Sequence, residues 1–115
     1  MSGCSRPAEA SSVPEPPTVV VTLPAEVDSS NSGLVQAALA GALASTPKVV
    51  IADGTGTSFC DCSAIAALMF IHHEAATAGA QLRVVATSAA MRRVLELTGA
   101  DLVLLLYPSL DEAQQ

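Results

Sequence analysis

The run Lys48-Val49-Val50-Ile51-Ala52-Asp53 constrains the fold more than any other stretch, because its core shows no alternation of apolar and polar residues. A strand with one wet face alternates. A continuously apolar strand is covered on both faces, which points to a parallel or mixed sheet with helices around it. The flanking sequence supplies those helices. Residues 18–23 are mostly β-branched and read as a strand that Pro24 ends. Ser29-Ser30-Asn31-Ser32 is then a cluster of helix N-caps, and Leu34, Val35, Ala38, Leu39, Ala42 and Leu43 recur at helical spacing. A helix is therefore expected over about 32–45, broken by Thr46-Pro47. Beyond the apolar run, Gly54-Thr55-Gly56-Thr57-Ser58 reads as a flexible turn and Phe59-Cys60 as a short extended piece. A second helix is expected from Ser63 to about Ala78, closed by Gly79. Residues 81–86 form the next strand, Ser88 caps a helix that Gly99 ends, and residues 102–106 read as a further strand broken by Tyr107-Pro108. Ser109 with Asp111-Glu112 opens a last short helix. This order implies an α/β layer fold of about four strands and three to four helices, with right-handed crossovers.

Residues 1–17 are rich in Ser, Pro, Ala and Glu and read as a disordered tail, leaving 18–115 as one domain. A chain of 115 residues buries roughly 65% of the surface its unfolded form exposes, enough for a core without staples. The residues are 50% apolar but only 3% aromatic, so that core must be built from Ala, Val, Leu and Ile, with no Trp. The net charge of −6 argues against a nucleic-acid partner and against an anionic membrane surface, both of which need clustered Lys and Arg. The first 17 residues hold no apolar leader segment, and the longest apolar run, 64–71, suits a buried helix. The expected compartment is the cytoplasm, where Cys4, Cys60 and Cys62 remain thiols; three cysteines also do not suit a disulfide framework.

Chemical motifs are sparse. Cys60, Cys62 and His72 or His73 lack the usual zinc spacing, and the two histidines read as one partly buried ring and one solvated ring on a helix. Ser63 has no nucleophile-elbow sequence around it. The 54–58 turn resembles a phosphate-cradling loop, but no Gly-Lys-Ser/Thr follows. Arg92-Arg93 reads as a solvated face. No enzyme activity and no cofactor are expected. Cys62 has two readings. At a helix start its thiol is activated as a redox sensor, although Asp61 opposes that; otherwise it is a small, inert stand-in for serine.

Two stretches carry a resemblance when read together. One is Val49-Val50-Ile51-Ala52-Asp53, a turn, then Phe59-Cys60-Asp61-Cys62-Ser63-Ala64-Ile65-Ala66-Ala67-Leu68. The other is Gly79-Ala80-Gln81-Leu82-Arg83-Val84-Val85, then Val94-Leu95-Glu96-Leu97-Thr98-Gly99-Ala100-Asp101. Their order and spacing resemble the STAS domain of bacterial anti-sigma-factor antagonists, over about 18–113. The resemblance implies a STAS-like fold with a mixed sheet and a protein that docks on an anti-sigma factor, usually a small serine kinase, and frees a sigma factor. The family's kinase phosphorylates the serine that follows the loop aspartate, and the complex separates. Here the aspartate matches Asp61 and the acceptor position holds Cys62, so the resemblance makes Ser63, the neighbouring hydroxyl, the alternative phosphoacceptor and the switch either Cys62 or Ser63. The family's glycines after the loop are Ala64 and Ala66, and its first strand is missing or absorbed into the tail. Asp28 matches the acidic residue of the loop beside the phospho-loop; by its own sequence context it is equally a helix-entry cap. The implied partner surface is Asp28 with Asp61, Cys62, Ser63, Ala64 and Ile65, on a domain that is a monomer when free. The other reading is a STAS scaffold subunit in a lipid-transport or stress-signalling assembly, in which an acceptor serine is dispensable.

Overall fold

The computed structural model describes residues 18–115; the tail expected over 1–17, with Cys4, lies outside the described residues. Among the described residues six strands and four helices follow one another: β1 (Thr18–Thr22), β2 (Glu26–Val27), α1 (Ser32–Ala44), β3 (Val49–Gly54), β4 (Phe59–Cys60), α2 (Cys62–Thr77), β5 (Gln81–Ala86), α3 (Ala89–Leu97), β6 (Leu105–Tyr107) and α4 (Leu110–Gln114). The main sheet has the order β1-β3-β5-β6. Where the sequence left a parallel or mixed sheet open, every ladder among the described strands is parallel. Each neighbour in the main sheet is reached through a helix, and a helical crossover returns the chain in the same direction.

The apolar run sits in β3 at the centre and divides its side chains by alternation. Val50 and Ala52 face a core shared with Val35 and Leu39 of α1, Ile65, Leu68 and Ile71 of α2, and Met91 and Leu95 of α3. Val49 and Ile51 face the other way, with Val85, onto Ala113, Leu110 and Tyr107. Both faces are dry, which is why the run needs no polar alternation. The largest fully buried side chains are Leu39, Ile51, Ile71, Leu82, Met91 and Leu95, so aliphatic and sulfur-bearing groups fill the core.

Serines and an aspartate start three of the four helices. Asp61, Ser88 and Ser109 each accept amide hydrogens from the first turn of α2, α3 and α4, as expected of N-caps. Gly54 ends β3 against the backbone of β5: a Cβ there would collide with the Val85 carbonyl oxygen. That close approach explains a glycine at the end of a central strand.

Two expectations are corrected. Residues 102–106 do not form one strand. Gly99 takes φ 77°, and a 3-10 turn over Ala100–Leu102 follows, with the Leu102 amide bonded to Gly99 O and the Leu104 amide to Ala100 O. These local bonds consume the backbone groups that a ladder would need, leaving Leu102 86% exposed and confining β6 to Leu105–Tyr107. Tyr107 is therefore the last residue of the ladder, paired with Val85, and not a breaker before it. The second correction is β2, which the sequence presented only as a lead-in to α1; Glu26–Val27 pairs with β4.

Candidate functional site

The site begins with that small second sheet. Glu26 pairs with Phe59 and Val27 with Cys60, and the ladder continues through the Ser58 amide to Ala25 O at 2.8 Å and the Asp61 amide to Val27 O at 3.1 Å. Val27 and Cys60 point inward and are buried, whereas Glu26 and Phe59 are exposed. Two residues per strand give little pairing energy, so the inward pair supplies the hold. The consequence is positional: the loop that leaves β2 at Asp28 and the turn that leaves β4 at Asp61 start side by side.

The turn before β4 is anchored, not loose as its glycines suggested. Asp53 Oδ1 accepts the Thr55 amide at 3.0 Å and the Thr55 hydroxyl at 2.5 Å. The buried Thr57 donates its hydroxyl to Pro24 O at 2.8 Å, and Thr87 donates to Thr55 O at 3.0 Å. A buried hydroxyl with a partner fixes the approach to the site at little cost.

Asp61 is the N-cap of α2. Its Oδ1 accepts the Ser63 amide at 2.9 Å, the Ala64 amide at 3.2 Å and the Ser63 hydroxyl at 2.5 Å. The Ser63 hydroxyl is the main reason that the Asp61 carboxyl lies below the usual carboxylate range; amides of Ala64, Ser63 and Ser29 act in the same direction. The Asp28 loop and the Asp61 turn leave adjacent, paired strands, so their carboxylates lie near each other. Asp28 lies half-buried in that loop. Its Oδ1 accepts the Ser30 amide at 2.9 Å and the Ser30 hydroxyl at 2.5 Å. Those Ser30 bonds lower its pKa, and the nearby Asp61 charge works against them. The helix-entry cap read for Asp28 is corrected: Asp28 shapes the turn before α1 and is not its N-cap. Asn31 holds the N-cap position without capping, because its Oδ1 accepts the Asp28 amide and its Nδ2 donates to Glu26 O.

The six expected partner-facing residues therefore divide. Cys62 is the first residue of α2 and is exposed, with Asp28, Asp61 and Ser63 half-buried around it. Ala64 and Ile65 are 2% and 6% exposed and belong to the main core. The helical period turns them inward three and four residues after the cap, so they support the surface and do not form it. The exposed Glu26 and Phe59 flank the turn, and nothing local in the sequence marked them. Cys60 lies beneath; burial pushes its thiol up to about 11, which keeps it protonated near neutral pH. Cys60 and Cys62 are free thiols. His72 is half-buried and His73 exposed, Arg92 and Arg93 are exposed, and among the described residues no group of three His, Cys, Asp or Glu could hold a metal ion. Among the same residues no helix is long and apolar enough to cross a membrane.

Comparison with known proteins agrees with this architecture. The STAS domain family model matches residues 10–113. A search of curated proteins found no match. Among solved structures, an anti-sigma factor antagonist from Mycobacterium paratuberculosis is 27% identical with a TM-score of 0.76, covering 84% of this chain and 81% of that one. A Thermotoga maritima protein provisionally described as an anti-sigma factor antagonist gives a TM-score of 0.72 at 19% identity, covering 85% and 89%. A sulfate transporter family protein from Wolinella succinogenes gives 0.71 at 19%, covering 84% and 81%. At 19% identity the last two show the fold alone. The family model spans nearly all of the described chain, and the chain belongs to the STAS domain family.

Proposed function

We propose that this STAS domain is a non-catalytic cytoplasmic regulator that docks on an anti-sigma factor of the serine-kinase type and thereby frees a sigma factor. One observation carries the reading. The β2–β4 ladder sets the Asp28 loop against the Asp61 turn and leaves Cys62 exposed between acidic neighbours, in the first turn of α2. The Mycobacterium paratuberculosis structure, described as an anti-sigma factor antagonist, lends support at 27% identity.

The acceptor chemistry differs from the family's pattern. A serine kinase forms no phosphoester on the Cys62 thiol. Ser63 is the neighbouring hydroxyl, but it is half-buried and donates to Asp61. A phosphate there would place roughly −1.5 to −2 charges against that carboxylate and dismantle the cap. The domain accordingly binds its partner without a phosphate-driven release. The test is capture of the native complex from the source cells with the tagged full chain. Recovery of a kinase-like anti-sigma factor supports the proposal. Recovery of a transporter subunit instead favours the second reading, a scaffold STAS subunit of a larger assembly, for which the unphosphorylatable Cys62 is equally suited.

A further inference from the structure

The main sheet ends in β1 on one side and β6 on the other, and the two edges are guarded differently. β6 has 3 residues, is entered from the 3-10 turn over Ala100–Leu102, and is followed by Pro108, which has no N–H. Short strands and prolines keep an edge from pairing with another chain. β1 has neither device. It runs for 5 residues, Thr18-Val19-Val20-Val21-Thr22, without a charge, a proline or a glycine. All five side chains are β-branched, a type that packs well across paired strands.

The outward groups of that edge follow from its ladder. In a parallel pair, alternate residues of a strand turn both backbone groups to the same neighbour. The Leu23 amide donates to Asp53 O at 2.9 Å, so Val21 and Val19 also address β3. Val20 therefore turns its N–H and C=O outward, where nothing among the described residues pairs with them. Beside the edge, β1 and α1 border a groove of about 290 Å³ lined by Val21, Leu23, Leu34, Val35 and Ala38, with Leu34 74% exposed. None of the groove's lining residues is charged, although the chain carries −6. A second copy, with the same net charge, therefore meets no like charge at this place. The strand also reads the same in both directions. An antiparallel copy turned about Val20 sets Val20 opposite Val20 and Val19 opposite Val21, the self-complementarity that a two-fold contact requires. Opposed residues share a face, so Val19 of each copy stands next to Val21 of the other, on the groove side.

We infer that β1 is a self-association edge: two copies of this chain pair β1 with β1, antiparallel about a two-fold axis at Val20, and join two four-stranded sheets into one. This departs from the free monomer that the family resemblance implied. Sedimentation equilibrium of the full chain over a concentration series should give a mass that rises from one copy toward two. In a mixture of isotope-labelled and unlabelled chains, filtered NOEs should link Val19 of one copy to Val21 of the other. A mass of one copy at every concentration would overturn the inference. So would NOEs from Val20 to residues 1–17 of its own chain, which would assign the edge to that segment. Val20→Lys and Val20→Glu each set like charges opposite one another at the axis and should weaken self-association at least about tenfold, with α2 amide shifts unchanged. An equimolar mixture of the two variants should restore association, because opposite charges then face each other. Undiminished association of either variant, or a mixture no tighter than the variants alone, would show that the contact is not centred on Val20 and would overturn the inference.

Discussion

At Asp28 and again at Asp61, a carboxylate takes the amide and the hydroxyl of the serine two residues ahead, at the same 2.9 and 2.5 Å. The two loops part at the next residue. Asp61 goes on to accept the Ala64 amide, and α2 begins at Cys62, directly after its cap. Beyond Asp28 the chain runs to Ser32 before α1 begins, and Asn31 has turned its side chain back toward Glu26 and Asp28. The same Asp-x-Ser ring thus builds a helix cap in one place and an open turn in the other. The shared Asp-x-Ser pattern does not decide between them; the helix that follows does. The start of α2 is consequently fixed by its cap, and the Asp28 loop by bonds among Asp28, Ser30, Asn31 and Glu26.

The largest effect should come from loosening the ladder that holds the two loops together. Val27→Ala removes an inward anchor and should cost roughly 2 kcal/mol in urea unfolding, while shifting NMR resonances in both loops at once. Shifts confined to one loop would break the claim that they form a single surface. Next is Asp61→Ala, which takes one acceptor from three donors and should lower Tm by roughly 5 °C. Asp28→Ala should lower it by about half as much, because no helix amide depends on it. Equal losses would erase the distinction between cap and turn.

Acid should sharpen the same contrast. Both carboxyls have native pKa values below the ordinary 3.8. The unfolded chain therefore binds more protons over that window, and stability falls as pH drops below 3.8 toward the lowered native values. Above that window the contribution is fully present. Asp61→Asn should flatten this acid loss more than Asp28→Asn in thermal melts run from pH 5 to 2. The smallest effect is expected from Cys62→Ser, which alters one exposed atom and should leave stability within about 0.5 kcal/mol.

Much of the framework was legible in the sequence because its signals are local. The unbroken apolar run of β3, the caps at Ser88 and Ser109, and the glycine after α3 each act within a few residues of themselves. Asp61 at the start of α2 was legible for the same reason, with the helix beginning one residue earlier than expected. What could not be read depends on distant partners. Glu26–Val27 is a strand only because Phe59–Cys60 lies beside it. The apolar residues 102–104 look like a strand, yet Gly99 starts a 3-10 turn whose local bonds outcompete the ladder. The inward turn of Ala64 and Ile65 follows from helical phase once Asp61 is fixed as the cap; the resemblance named the segment as a whole and did not resolve its faces. Arg83, read as part of a strand, carries its partners 30 residues away.

The central claim is that the Asp61 turn offers a docking surface whose acceptor position cannot be phosphorylated. The most direct test is to hold the domain with a serine-kinase anti-sigma factor in ATP, follow the complex by size exclusion, and map phosphate by mass spectrometry. The wild-type complex should persist with Ser63 unmodified, and Cys62→Ser should gain one phosphate at position 62 and dissociate. Phosphate on Ser63 of the wild type, with release of the partner, would contradict the account.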